Sequence, residues 1–172
     1  MSPTFPYILL ELAITRNELP SEMTKVRHAN SSDVDRIYDL ILAIADHDGQ
    51  SKYVKTNPSE LLASGFGDSP NYGILLAEHN GSIVGFASFT INYSIWLGSK
   101  YMNIDDVYVD SNSRGQGIGE KLMQESKRHC GRVGVSRIRW EVQADNQNAI
   151  RFYERLGAHM MEKGVFTWDV SQ

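Results

Sequence analysis

Three glycines at alternate positions separate a run that reads as a strand from one that reads as a helix. "YMNIDDVYVD" leads into Ser113-Arg114-Gly115-Gln116-Gly117-Ile118-Gly119, and "EKLMQESKRHC" follows. Ordering a glycine costs chain entropy, so three of them at a helix start require a reason. A tight turn with nothing bound is the plain alternative, but one glycine would serve it. Three phosphate-binding patterns compete. A P-loop needs a Lys-Ser/Thr pair directly after its glycines, and none follows here. The dinucleotide fingerprint needs Gly-x-Gly-x-x-Gly in a chain-initial βαβ unit with an acidic ribose partner, and neither condition is met. The third pattern, Arg-x-x-Gly-x-Gly, is matched by Arg114, Gly117 and Gly119. Free N–H groups at the helix start, the helix dipole and the missing side chains would let a pyrophosphate approach closely.

Around this segment the chain reads as alternating strands and helices. Thr24 to Ala29 reads as a strand. Ser31 or Ser32 then caps a helix whose apolar positions Val34, Ile37, Leu40, Ile41 and Ile44 keep the helical period, with Gly49 as the stop. Pro58 starts a short helix. Asn80-Gly81 joins two β-rich runs as a hairpin. "SRIRWEVQ" reads as a strand, "NQNAIRFYERLG" as a helix closed by Gly157, and "AHMME" and "VFTWDV" as a final strand pair. The order predicts one mixed α/β sheet of about six to seven strands, mostly antiparallel, with helices on both faces.

A length of 172 residues, with 41% hydrophobic and 22% charged content, fits one domain with a full core. The net charge of -4 leaves no electrostatic footprint for nucleic acid. Lys127, Arg128, His129 and Arg132 fall late in a helix, where they complement its dipole. No apolar run approaches the ~20 residues that span a membrane. The single cysteine, Cys130, fits a reducing, cytoplasmic setting and a packing role. "FPYILLELAI" contains Glu11 and has no basic stretch before it, which argues against a signal peptide. Met23 offers a second start, so residues 1–22 are expected to be a leader or expression-derived arm outside a domain of residues 23–172. The five histidines are scattered without metal-ligand spacing, and no Gly-x-Ser-x-Gly elbow occurs.

"VYVDSNSRGQGIGEKLM" resembles the acetyl-CoA signature of the GNAT acetyltransferase superfamily. "NQNAIRFYERLGA" is similar to its second motif, Asn-x-x-Ala-x-x-x-Tyr-x-x-x-Gly, through Asn146, Ala149, Tyr153 and Gly157. The resemblance covers residues 24–170 and implies a single-domain GNAT fold with a splay between the middle strands. "LLASGFGDSPNYGILLAE", "IVGFASFTINYSIWLG" and "NIDDVYVDSNSRGQGIG" resemble the diamine (spermidine/spermine) and thialysine acetyltransferase branch. That branch implies a homodimer acting on small primary amines with acetyl-CoA as donor.

Residue by residue, the resemblance implies cofactor contacts from Val107, Tyr108, Val109, Arg114, Gly115, Gln116, Gly117, Ile118, Gly119, Asn146 and Tyr153. Main-chain N–H groups of Val107 and Val109 would hold the acetyl carbonyl and pantetheine arm, and Arg114 would add a cation near the pyrophosphate. Tyr153 is the expected general acid, since a phenol with a pKa of ~10 can protonate a departing thiolate whose thiol has a pKa of ~8.5. Its bland reading is an aromatic in the core stripe; that of Asn146 is a helix cap. Asp105 falls at the position of the carboxylate that deprotonates the amine through water, where the family usually has glutamate. The expected substrate contacts are Asp48, Ser94, Trp96, Asp105 and Asp106. Asp48 could bind a distal ammonium or be an exposed acid at a helix end, and His47 beside it reads as a surface residue. The chain departs from the branch at Ser94, which replaces an acid, at Val165 and Phe166, where a tryptophan is missing, and in a shorter tail. These departures weaken the case for long polyamines and admit a shorter or less charged amine, including thialysine-like amino acids, lysine-like side chains or an aminated xenobiotic. A protein N-acetyltransferase and a non-catalytic CoA-binding module are the competing readings.

Overall fold

Asn80 and Gly81 both adopt positive φ, 50° and 80°, and close a two-residue turn between His79 and Ser82. That geometry matches the twist of paired strands and sets the register of the central hairpin. In the computed structural model, which describes residues 24–170, this hairpin is the middle of a five-stranded sheet. The strands are β1 (Thr24–His28), β2 (Gly73–His79), β3 (Ser82–Ser94), β4 (Ser99–Val109) and β5 (Ile138–Arg139), paired in sequence order. The first three pairings are antiparallel and β4–β5 is parallel. The helices are α1 (Val34–His47), α2 (Pro58–Gly65), α3 (Ile118–Arg132) and α4 (Gln147–Arg155). The expected leader, residues 1–22, lies outside the described residues.

Two apolar layers sandwich the sheet. On one face Ile37, Leu40 and Leu61 of α1 and α2 pack on Leu76, Phe86 and Tyr108. On the other, Ile118, Leu122, Met123 and Cys130 of α3 pack on Leu75, Ala87, Phe89, Met102 and Ile104. Cys130 is buried, its Sγ 3.7 Å from Met102 Sδ, as a packing role requires.

Local differences from the sequence reading have physical causes. The cap ahead of α1 is Asn30, whose side chain accepts from Ser32 N–H while Asp33 accepts from Asn30 N–H. Asp33 is buried because Arg27 clamps both its oxygens, at 2.7 and 2.8 Å. Among the described residues the sheet has five strands, against about six to seven expected, and only Ile138 and Arg139 of "SRIRWEVQ" join it. Residues 158–170 form no strand, although Phe166, Trp168 and Val170 keep the alternation of one and are almost fully exposed. A strand exists through its ladder, and β5 offers only two ladder positions.

Candidate active site

The register of β3 against β4 slips once. Ser88 faces Asp106 and Phe89 faces Ile104, so Asp105 is an extra residue on β4. Side chains of a regular strand alternate between faces. Met102 and Ile104 pack on the α3 side, and after the slip Val107 and Val109 do so too, while Tyr108 packs on the α1 side. Both intervening residues, Asp105 and Asp106, therefore fall on the α1 side. A β-bulge re-aims side chains in this way, and here it brings two consecutive carboxylates together.

Asp106 is half-buried, and burial pushes its carboxyl above the usual range. Two hydrogen bonds hold it at the slip: Ser88 Oγ donates to Oδ2 at 3.1 Å, and Asp106 N–H donates to Ser88 Oγ at 3.1 Å. The serine opposes the rise in pKa, while the charges of Asp105 and Asp48 add to it. Asp105 is more open, yet loss of solvent raises it as well, against the 2.7 Å hydrogen bond from Asn103 Nδ2. Asp48 is the C-cap of α1, and its field reaches Asp106. Three carboxylates thus share one side of the sheet.

The same slip orients the backbone. Asp106 N–H turns to Ser88 and Asp110 N–H to Val84 O, so both face β3. Alternation then turns the N–H groups of Val107 and Val109 to the opposite edge. There the pairing with β5 stops at Asn103–Arg139, well before β4 ends at Val109. The opening between β4 and β5 is the expected splay, and those two donors face into it.

Beyond β4 the chain turns through Gly115 (φ 78°) and Gly117 (φ 74°) into α3. Gly117 is the left-handed N-cap, and no side chain caps the helix. Lys121 N–H is the first to bond back, to Gly117 O, which leaves Ile118, Gly119 and Glu120 N–H free for an anion. At Gly119 an added Cβ would meet the Phe152 ring of α4 at 3.4 Å, an ordinary packing contact, so neither space nor backbone demands glycine there. Arg114 does not reach over the glycines. It donates from Nε to Val109 O at 2.9 Å, lies over the Tyr108 ring, and reaches His47.

Tyr153 enters from the α3 side on α4, half-buried between Trp140 and Phe152, each ring 5.0 Å away. Burial raises its phenol above its ordinary value, so the group stays protonated at neutral pH. It lines a cavity of about 390 Å³ with Met123, Cys130, Ile138, Trp140 and Leu156. Asn146 caps α4, its Oδ1 accepting from Ala149 N–H at 3.0 Å. Ser94 and Trp96 are not brought to the carboxylates within one chain. They sit at the exposed tip of the β3–β4 hairpin, six residues from Ser88 and so roughly 20 Å along the strand. The sequence reading missed Ser88 and Asn103, whose roles depend on the slip, and it placed His47 at the surface without seeing its partners. Among the described residues, no three metal-binding side chains group together.

An uncapped helix start and a pair of strand-edge donors facing a splay fit an acyl-CoA, whose pyrophosphate and thioester carbonyl need such donors. Comparison with known proteins agrees. The acetyltransferase (GNAT) family model matches residues 34–158. The thialysine N-epsilon-acetyltransferase of Mus musculus is 34% identical over 78% of this chain and 84% of its own, and that of Bos taurus is 33% identical over 77% and 82%. A solved aminoglycoside acetyltransferase from an uncultured soil metagenomic sample, in complex with sisomicin, shares the fold. Its TM-score is 0.73 at 17% identity, covering 87% of this chain and 97% of that one. The chain therefore belongs to the GNAT family and is an acetyl-CoA-dependent N-acetyltransferase.

Proposed function

We propose that this enzyme acetylates a primary amine of a small molecule, a diamine, polyamine or thialysine-like amino acid, by direct transfer in a ternary complex. The observation that carries this reading is the set of three carboxylates, Asp48, Asp105 and Asp106, on the α1 side of the splay. A cationic amine with a second charged group suits that field. The thialysine enzymes above act on such an amine, and an L-ornithine N5-acetyltransferase of Arabidopsis thaliana, 32% identical over 47% of this chain and 36% of its own, points the same way.

Acetyl-CoA supplies an acetyl thioester and a thiolate leaving group. The free N–H groups at the start of α3, with Gly115, Gln116 and Gly117, hold the pyrophosphate. Val107 and Val109 N–H donate to the acetyl carbonyl and pantetheine arm, stabilising charge that grows on the oxygen. Asp105 takes the proton of the attacking ammonium through water, and its raised pKa brings it nearer to that of its partner. Asp106 and Asp48 hold the cationic parts of the amine. As the C–N bond forms and the C–S bond breaks, Tyr153 gives its proton to the departing sulfur and regains one from solvent.

The working form is a homodimer. The exposed, alternating Phe166, Trp168 and Val170, the short edge strand β5 and the bare Ile95-Trp96-Leu97 tip support this, since such apolar surface is covered by a partner. Sedimentation at micromolar concentration checks it.

The deciding assay follows CoA release from acetyl-CoA with spermidine, 1,4-diaminobutane, thialysine, lysine, aminoglycosides and arylalkylamines, ranked by kcat/KM. Diamines or thialysine should lead the ranking. Acetylation of peptides in preference to every small amine would overturn the reading.

A further inference from the structure

Arginine has five donors and no acceptor, so any nitrogen it hydrogen-bonds must present a lone pair. Arg114 Nη1 lies 3.1 Å from His47 Nε2. Facing a donor-only group, Nε2 presents its lone pair and the ring proton sits on Nδ1, which lies 2.8 Å from Asp48 Oδ1 and donates to it. One imidazole thus joins a cation of the glycine loop, 67 positions away in sequence, to the carboxylate of its neighbour Asp48. The same guanidinium is pinned to Val109 O at 2.9 Å and lies 5.5 Å from the Tyr108 ring centre, at the end of β4 whose N–H groups face the splay.

We infer that His47 is a positioning residue: it orients the Asp48 carboxylate toward the second cationic group of the amine and holds Arg114 against the end of β4. The inference deepens the small-amine reading and rests on it for the identity of the substrate. With Nδ1–H occupying one oxygen of Asp48, the other is left to an incoming ammonium. That carboxylate is aimed by the histidine rather than free to rotate at the helix end. The two charged side chains that contact the imidazole are Asp48 and Arg114.

The experiment has two arms on the full-chain enzyme. Long-range nitrogen NMR of the ligand-free protein reads the tautomer of His47. The Nδ1–H form is expected, with the change to the commoner Nε2–H form in Asp48→Asn. An Nε2–H wild-type ring overturns the inference whatever the enzyme acetylates. In the second arm, KM and kcat are measured for 1,4-diaminobutane and for n-butylamine, which lacks the second charge. His47→Ala should raise KM for the diamine about five- to tenfold with kcat little changed, and leave n-butylamine unaffected. His47→Gln, whose amide can accept from Arg114 and donate to Asp48, should restore KM. Equal losses for both amines, or no loss for either, would refute the role. A wild-type enzyme that acetylates neither amine refutes instead the small-amine reading, and the tautomer still decides the link.

Discussion

Ser88 and Asp106 exchange two hydrogen bonds across the slipped register of β3 and β4, the hydroxyl donating to the carboxylate and accepting from the amide of the same residue. A side chain thus takes the place of a ladder bond where the bulge interrupts pairing. Ser88→Ala leaves the Asp106 N–H without its partner and should cost about 1–2 kcal/mol of stability. It also removes a donor that lowers the Asp106 pKa, so the acid limb of the pH–activity profile should move to higher pH. Urea unfolding and a pH profile of kcat/KM measure the two effects; a profile that stays in place would show that Asp106 does not govern it.

The substrate-binding role proposed for Asp106 would set activity against stability. Its pKa is raised in the folded state, so the fold binds an extra proton between the ordinary carboxylate value of ~3.9 and that higher value. Stability therefore falls as pH rises through this window. Asp106→Asn should melt higher than wild type above the window, melt equally below it, and lose at least about tenfold in kcat/KM for a diamine. Calorimetry at several pH values tests the sign.

The Asp33 carboxyl has the opposite sign. The Arg27 hydrogen bonds hold it below its ordinary range against the effect of burial. Its contribution is full above an unfolded pKa of ~3.9 and is lost as pH falls through the folded value. Asp33→Asn should cost about 2 kcal/mol at pH 7, with the gap to wild type closing in acid.

Tyr153→Phe removes only the phenolic hydroxyl from a ring held by Trp140 and Phe152. It should lower kcat about 100-fold, the scale of one general acid, and leave the affinity for CoA near wild type. An unchanged kcat would take Tyr153 out of the mechanism.

The glycines of the loop should separate by substitution. Gly117→Ala forces a Cβ into left-handed backbone at φ 74° and should cost about 1–2 kcal/mol, visible as a lower Tm. Gly119→Ala keeps helical backbone and gains helix propensity, offset by contact with Phe152, so its Tm should stay near wild type. Equal melting of the two variants would contradict this division.

What the sequence by itself determined is local. The Asn80-Gly81 turn, the left-handed Gly117 ahead of α3, the Asn146 cap and the apolar period of α1 follow from neighbouring residues, because turn and cap energies act over a few positions. The glycine turn and free helix start of the proposed donor side were legible for the same reason. The arrangement proposed for the acceptor side was not, because it depends on how β3 registers on β4 and where β4 leaves β5. The slip that puts Asp105 beside Asp106, the reach of Arg114 to His47 and the absence of residues 158–170 from the sheet all arise from contacts between distant segments. A strand pattern states which side chains alternate; only its partner strand decides where the alternation slips and which backbone donors remain free.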